Sequence, residues 1–121
     1  MTAGAPPIAI GLVGFGKIAR DAHVPAIRGE RRFELRAIAD PASGAAPVPR
    51  HASLAAMLGA PDAPAAVAIC RPPQARYAVA RQALERGRHV LLEKPPAATV
   101  AELDELRELA ERLGATLFCA W

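Results

Sequence analysis

Short apolar runs alternate with helix-patterned stretches along the whole chain. Ile8–Val13 is apolar throughout, ends at glycine and predicts a buried strand. Lys17 to about Arg28 predicts a helix perturbed by Pro25. Phe33–Asp40 predicts a second strand, with Phe33, Leu35, Ala37 and Ala39 on one face. The Pro-, Gly- and Ala-rich stretch Pro41–Pro49 predicts a loop, with a short strand near Val48–His51. Ser53 has the chemistry to cap a short helix over Leu54–Leu58. Ala66–Cys70 predicts a strand, Gln74–Arg86 a helix stopped by Gly87, and His89–Leu92 another strand. Thr99 and Glu102 form a capping box ahead of a helix to Leu113, whose apolar face is expected at Val100, Leu103, Leu106, Ala110 and Leu113. Gly114 closes that helix, and Thr116–Ala120 predicts the last strand. Strands separated by helices need crossovers, and crossovers make parallel sheets. The pattern therefore predicts an α/β fold in a single domain over residues 1–121.

Composition narrows the function classes. The 121 residues are 52% hydrophobic and 22% charged, which excludes a disordered chain. The net charge of +3 comes from 15 basic and 12 acidic residues mixed along the sequence, and aromatics are only 4%, so no basic, aromatic-laced stripe points to nucleic acid. No apolar run reaches membrane-spanning length, and the first residues lack a signal-peptide pattern, so the expected location is the cytoplasm. Cys70 and Cys119 give neither a metal-ligand spacing nor a disulfide framework; they fall on the fourth and sixth strands, with the fifth between them. His23, His51 and His89 do not cluster by spacing and are expected to be structural, so no metal site is expected.

Candidate chemistry sits at the ends of the strands. Gly14-Phe15-Gly16-Lys17-Ile18-Ala19 follows the first strand and fits G-x-G-x-x-A. Gly14 suits a tight turn, Gly16 a close approach of backbone to a pyrophosphate, and Ala19 a helix packed close to the sheet. The alternative is an ordinary strand–helix turn. Asp40 ends the second strand, where a carboxylate accepts from the adenosine ribose hydroxyls and repels a 2′-phosphate, favouring NAD over NADP. Read otherwise, it is a loop aspartate before Pro41. These features specify a Rossmann doubly wound sheet in the order 3-2-1-4-5-6, with a short third strand. In that order, Cys70-Arg71-Pro72-Pro73 faces the glycine turn across the ligand crevice and forms a stiff wall, or a simple rigid turn. Glu93-Lys94-Pro95 ends the next strand on the same edge. Its lysine is either an amine drawn into a partly desolvated site, positioned by Glu93, or half of a surface ion pair. Spacing alone leaves both open.

Together, the glycine turn, Arg71-Pro72-Pro73 and Glu93-Lys94-Pro95 occur in the order found in Gfo/Idh/MocA-type oxidoreductases, and the chain resembles that family from about Ile8 to Trp121. Within it, the stretches Val13–Asp21, His23–Ile27, Pro72–Gln74, His89–Pro96 and Leu117–Trp121 are similar to sugar 1-dehydrogenases of the L-arabinose and D-galactose type. The resemblance implies a nicotinamide dinucleotide held by Gly14, Phe15, Gly16, Lys17, Ile18, Asp40, Cys70, Arg71, Pro72, Pro73, Glu93, Lys94 and Trp121. It implies oxidation of an aldose at C1 to a lactone, with Lys94 as the catalytic residue at the substrate hydroxyl and Trp121 near the nicotinamide end. Another dehydrogenase of the family, such as an inositol dehydrogenase, and a non-catalytic NAD-binding module are the alternatives.

Three departures stand out. Arg71 replaces the threonine usual before the two prolines. Some relatives of this type prefer NADP, whereas Asp40 argues for NAD. The family's second, substrate-binding domain is expected to be missing, so the 121 residues alone are expected to be inactive toward the small-molecule sugar. Apolar surface around the last strand is then expected to leave the chain marginally stable or prone to self-association, a homo-oligomer included.

Overall fold

The computed structural model describes residues 6–42 and 44–119. Six strands form one parallel sheet: β1 (Ile8–Val13), β2 (Phe33–Ala39), β3 (Arg50–His51), β4 (Ala66–Ile69), β5 (His89–Leu92) and β6 (Leu117–Cys119). Their order is β3-β2-β1-β4-β5-β6, as the motif order predicts. The helices are α1 (Val24–Arg28), α2 (Leu54–Leu58), α3 (Pro73–Glu85) and α4 (Val100–Leu113). Of the predicted Thr116–Ala120 strand, Leu117–Cys119 is strand and Thr116 is not; Ala120 and the site residue Trp121 lie outside the described residues. Among the described residues no helix is long and apolar enough to cross a membrane.

Crossover handedness divides the helices between the two faces. The connection from β1 to β2 moves toward the β3 edge, while those carrying α2, α3 and α4 move the other way. Right-handed crossovers then put α1 on one face and the other three on the opposite face. The larger core lies on the three-helix side, where Met57, Val67, Ile69, Leu84, Leu92 and Leu106 are fully enclosed. A smaller one lies under α1, built on Leu12, Phe15, Ile27, Leu35 and Ile38.

One expectation about faces fails and another holds for Leu103, Leu106 and Ala110 only, each for a local reason. Strand β2 does not keep Phe33, Leu35, Ala37 and Ala39 on one side. Ile10 pairs with Leu35 but Gly11 pairs with Ala37, so Arg36 is an extra residue on β2. That bulge inverts the alternation: Phe33 and Leu35 face α1, and Ala37 and Ala39 face the large core. In α4 the buried stripe is Leu106, Leu109 and Ala110, while Val100 and Leu113 stay exposed because they lie beyond the reach of α3 and the sheet. Caps form as expected: Ser53 Oγ accepts from the Ala56 N–H and Thr99 Oγ1 from the Glu102 N–H, both at 3.1 Å.

The helical stretch after the glycine turn is widened. Ala19–His23 forms a π-helical turn that runs into α1, and the Val24 N–H donates to the Ala19 carbonyl five residues back. Pro25 follows at once and has no N–H to offer the preceding turn, so the wider turn redistributes those bonds.

Candidate functional site

The carboxyl ends of β1, β2, β4 and β5 converge on one edge of the sheet, at the point where strand order reverses between β1 and its two neighbours. Open parallel sheets bind ligands at such a point. The glycine turn, Asp40, the Cys70–Pro73 loop and Glu93-Lys94-Pro95 all lie there, so the topology gathers the predicted site residues along one crevice.

Two glycines shape the first turn differently. Gly14 has φ +93°, and a Cβ there would sit 3.1 Å from Arg71 Cδ and 3.2 Å from the Cys70 carbonyl. Only glycine meets both demands without strain. At Gly14 the Cys70–Pro73 loop thus touches the glycine turn directly, where strand order predicts the two facing each other across the crevice. Gly16, by contrast, has ordinary backbone angles, and a Cβ there would meet no protein atom within 4 Å. Nothing in the chain itself requires glycine at 16; the space beside it is open.

Asp40 fastens this turn. Its Oδ2 accepts from the Phe15 N–H at 2.6 Å, and its Oδ1 from the Ala42 N–H at 2.8 Å. Burial alone would raise the carboxyl, but those two N–H groups and the charges of Arg50 and Arg71 outweigh it and hold Asp40 below the usual 3.8. Asp40 is thus an anion integrated into the loop, not a free loop aspartate. The Phe15 ring is buried beneath two guanidinium groups, Arg20 at 4.8 Å and Arg50 at 5.5 Å from its centroid. Lys17 and Ile18 are exposed at the start of the helix, and Lys17 pairs with Asp21.

The far side of the crevice is organised by two residues the motif reading did not include. His23 Nε2 lies 2.6 Å from Glu93 Oε1, with only 11% and 20% of the two side chains exposed. Glu93 therefore turns its carboxylate to His23 and not to Lys94. Lys94 is exposed and takes part in none of the ion pairs among the described residues. The surface ion pair with Glu93 is therefore not formed, and the Lys94 amine faces open space at the end of β5. The Lys94–Pro95 peptide is cis.

Arg76 is the second such residue and is 7% exposed. Its Nε donates to the Arg71 carbonyl at 2.6 Å, and its Nη1 to the Glu93 carbonyl at 2.7 Å and to the Pro95 carbonyl. Burial lowers its pKa, partly offset by the Glu93 carboxylate, and the group remains a cation. A signal for it exists in the sequence: an arginine in the first turn of a helix opposes the helix dipole and needs another reason to be there. His23 offers no such signal, because seventy positions separate it from its partner.

Cys70 is half-buried beside Glu93 and Arg76. Burial, aided by the Glu93 carboxylate, pushes its thiol up to about 12, so it stays protonated and is no nucleophile. Cys119 is likewise a free thiol raised by burial. A cavity of about 690 Å³ lies away from the crevice. It is an apolar groove on the α1 face of the sheet, floored by Ile10, Ala68, Leu91 and Phe118, where among the described residues no helix packs over β4, β5 and β6. His23, Glu30, His89 and Thr116 stand among otherwise apolar lining residues, away from the glycine turn and Asp40, so we place the candidate chemistry in the crevice.

Comparison with known proteins agrees with this geometry. Residues 8–120 match the Gfo/Idh/MocA oxidoreductase family, described as an NAD-binding Rossmann fold. Galactose 1-dehydrogenase of Pseudomonas fluorescens is 46% identical over 96 residues, covering 79% of this chain and 32% of that protein. The crystal structure of D-galactose-1-dehydrogenase from Rhizobium etli superposes with a TM-score of 0.93 at 42% identity, over 100% of this chain and 39% of that one. WlbA dehydrogenase of Chromobacterium violaceum, solved with NADH and UDP-GlcNAcA, has a TM-score of 0.83 at 26% identity, covering 98% and 36%. The chain thus spans about a third of the length of the curated relatives it matches. It belongs to the Gfo/Idh/MocA oxidoreductases, as their NAD-binding Rossmann domain.

Proposed function

We propose that this chain holds NAD along the crevice and serves the oxidation of an aldose at C1 to a lactone. The observation that carries the cofactor reading is the open space beside Gly16, the one position of the turn where glycine is not needed by the protein itself. A pyrophosphate fits there, against the exposed N–H groups of Gly16, Lys17 and Ile18. Asp40, ionised and already fixed by two backbone N–H groups, retains lone pairs for the adenosine ribose hydroxyls. The same charge disfavours a 2′-phosphate, while Arg50 and Arg71 beside it temper that repulsion. We therefore expect a preference for NAD of about tenfold, not exclusion of NADP. Pro72 and Pro73 form the rigid wall, and Cys70, Arg71 and Glu93 complete the far side.

The bound nicotinamide supplies a hydride acceptor. This chain's own contribution is Lys94 at the rim of the crevice, whose amine, in its neutral form, would accept the proton of the sugar's C1 hydroxyl. The aldose reading rests on the similarity to two galactose 1-dehydrogenases. Calorimetric titration with NAD and NADP tests the cofactor. Following NADH formation with galactose and arabinose, with the chain supplied with a relative's substrate domain, tests the substrate, and turnover with neither sugar but with an inositol would move the chain to another branch of the family.

A further inference from the structure

We propose that Arg76 is the positioning residue for Lys94, acting as a fork that locks together the two loops on the far side of the crevice. This rests on the reading that Lys94 faces the substrate. The peptide carbonyl before Lys94, that of Glu93, and the carbonyl of Pro95 just after it both accept from one nitrogen, Arg76 Nη1. The Nε of the same guanidinium donates to Arg71 at the end of the neighbouring strand. Lys94 is therefore bracketed: the backbone on each side of it is tied to one rigid plane, and that plane is tied to the loop packed against Gly14. The side chain of Glu93 is held separately by His23. The amine of Lys94 is exposed and tied to no acidic partner among the described residues, so the direction of its stem depends on this backbone anchoring.

The placement runs against two costs that a merely structural arginine would avoid. A cation in the first turn of α3 opposes the helix dipole, and burial removes it from water. Only a planar group with donors in a fixed spread can reach the two loops at once; a lysine presents a point charge on a flexible stem and cannot reproduce the fork.

Lys17 and Lys94 are the two lysines of the chain, so an internal reference is built in. Competitive acetylation of the folded chain, without cofactor, gives the labelling of Lys94 relative to Lys17. Arg76→Gln is expected to change that ratio about tenfold and Arg76→Lys at least threefold, with Lys17 itself unchanged. In parallel, both variants are expected to lose less affinity for ADP-ribose, which lacks the nicotinamide, than for NADH, while the nicotinamide fluorescence of bound NADH shifts. Should Arg76→Gln not fold, Arg76→Lys is read alone against the same thresholds. A labelling ratio within 1.5-fold of the parent overturns the proposal, as does a loosening that raises both lysines together and weakens ADP-ribose equally. If the parent chain binds neither ADP-ribose nor NADH, the cofactor reading falls, and the labelling ratio still decides the role of Arg76 on its own.

Discussion

Phe15 donates its N–H to the carboxylate of Asp40 across 2.6 Å, and this single bond ties the glycine turn after β1 to the end of β2. The same carboxylate accepts from Ala42, so one anion fixes two loops before any ligand arrives.

That arrangement predicts a defined acid limb. The folded-state pKa of Asp40 lies below its unfolded value near 3.8, so its contribution to stability is complete above about pH 4 and is lost as pH falls through the depressed folded value. Asp40→Asn removes the charge and is expected to lower stability at pH 7 by about 1–2 kcal/mol, since water replaces part of the interaction at a half-buried site. Urea melts from pH 7 downward check this: the gap between parent and variant should hold steady above about pH 5 and narrow progressively as pH falls below about 4.

The two glycines of the turn predict opposite outcomes. Gly14→Ala meets both a positive φ and close contacts with the Cys70–Pro73 loop, and is expected to cost about 1–3 kcal/mol. Gly16→Ala meets open space, so thermal melts should leave its stability within about 0.5 kcal/mol of the parent.

Leu106 is fully enclosed between α4, α3 and the sheet. Leu106→Ala should destabilise by about 2–5 kcal/mol, whereas Val100→Ala, on the exposed start of the same helix, should change little in the same melt. Equal effects would contradict the assigned face of α4.

The uncovered side of the sheet offers an independent check. Phe118 is 61% exposed and forms part of the floor of the groove where no helix among the described residues packs. An apolar dye such as ANS should therefore bind the folded chain, and Phe118→Ser should reduce that fluorescence without shifting the unfolding midpoint by more than a few degrees.

Much of the fold and the near half of the crevice are legible from residues. The strand–glycine–helix sequence marks the turn, and alternating strands and helices specify the sheet, because both depend on local patterns. The bulge at Arg36 is not legible: an alternation of Phe33, Leu35, Ala37 and Ala39 is written in the sequence, and only pairing with β1 decides where it breaks. The His23–Glu93 contact is equally hidden, since a long-range pair leaves no periodic trace. Arg76 lies between these cases. Its mismatch with the helix dipole is visible in advance, but the carbonyls that resolve it appear only when two loops meet.

The central claim is that a dinucleotide lies beside Gly16 with its ribose on Asp40, and Gly16→Val tests it most directly. A Cβ at 16 meets no protein atom within 4 Å, and the valine methyls beyond it fill the space assigned to the pyrophosphate. Calorimetry with NAD should show binding to the parent and a loss of at least a hundredfold in the variant, at unchanged stability; an affinity that survives the substitution would contradict the account.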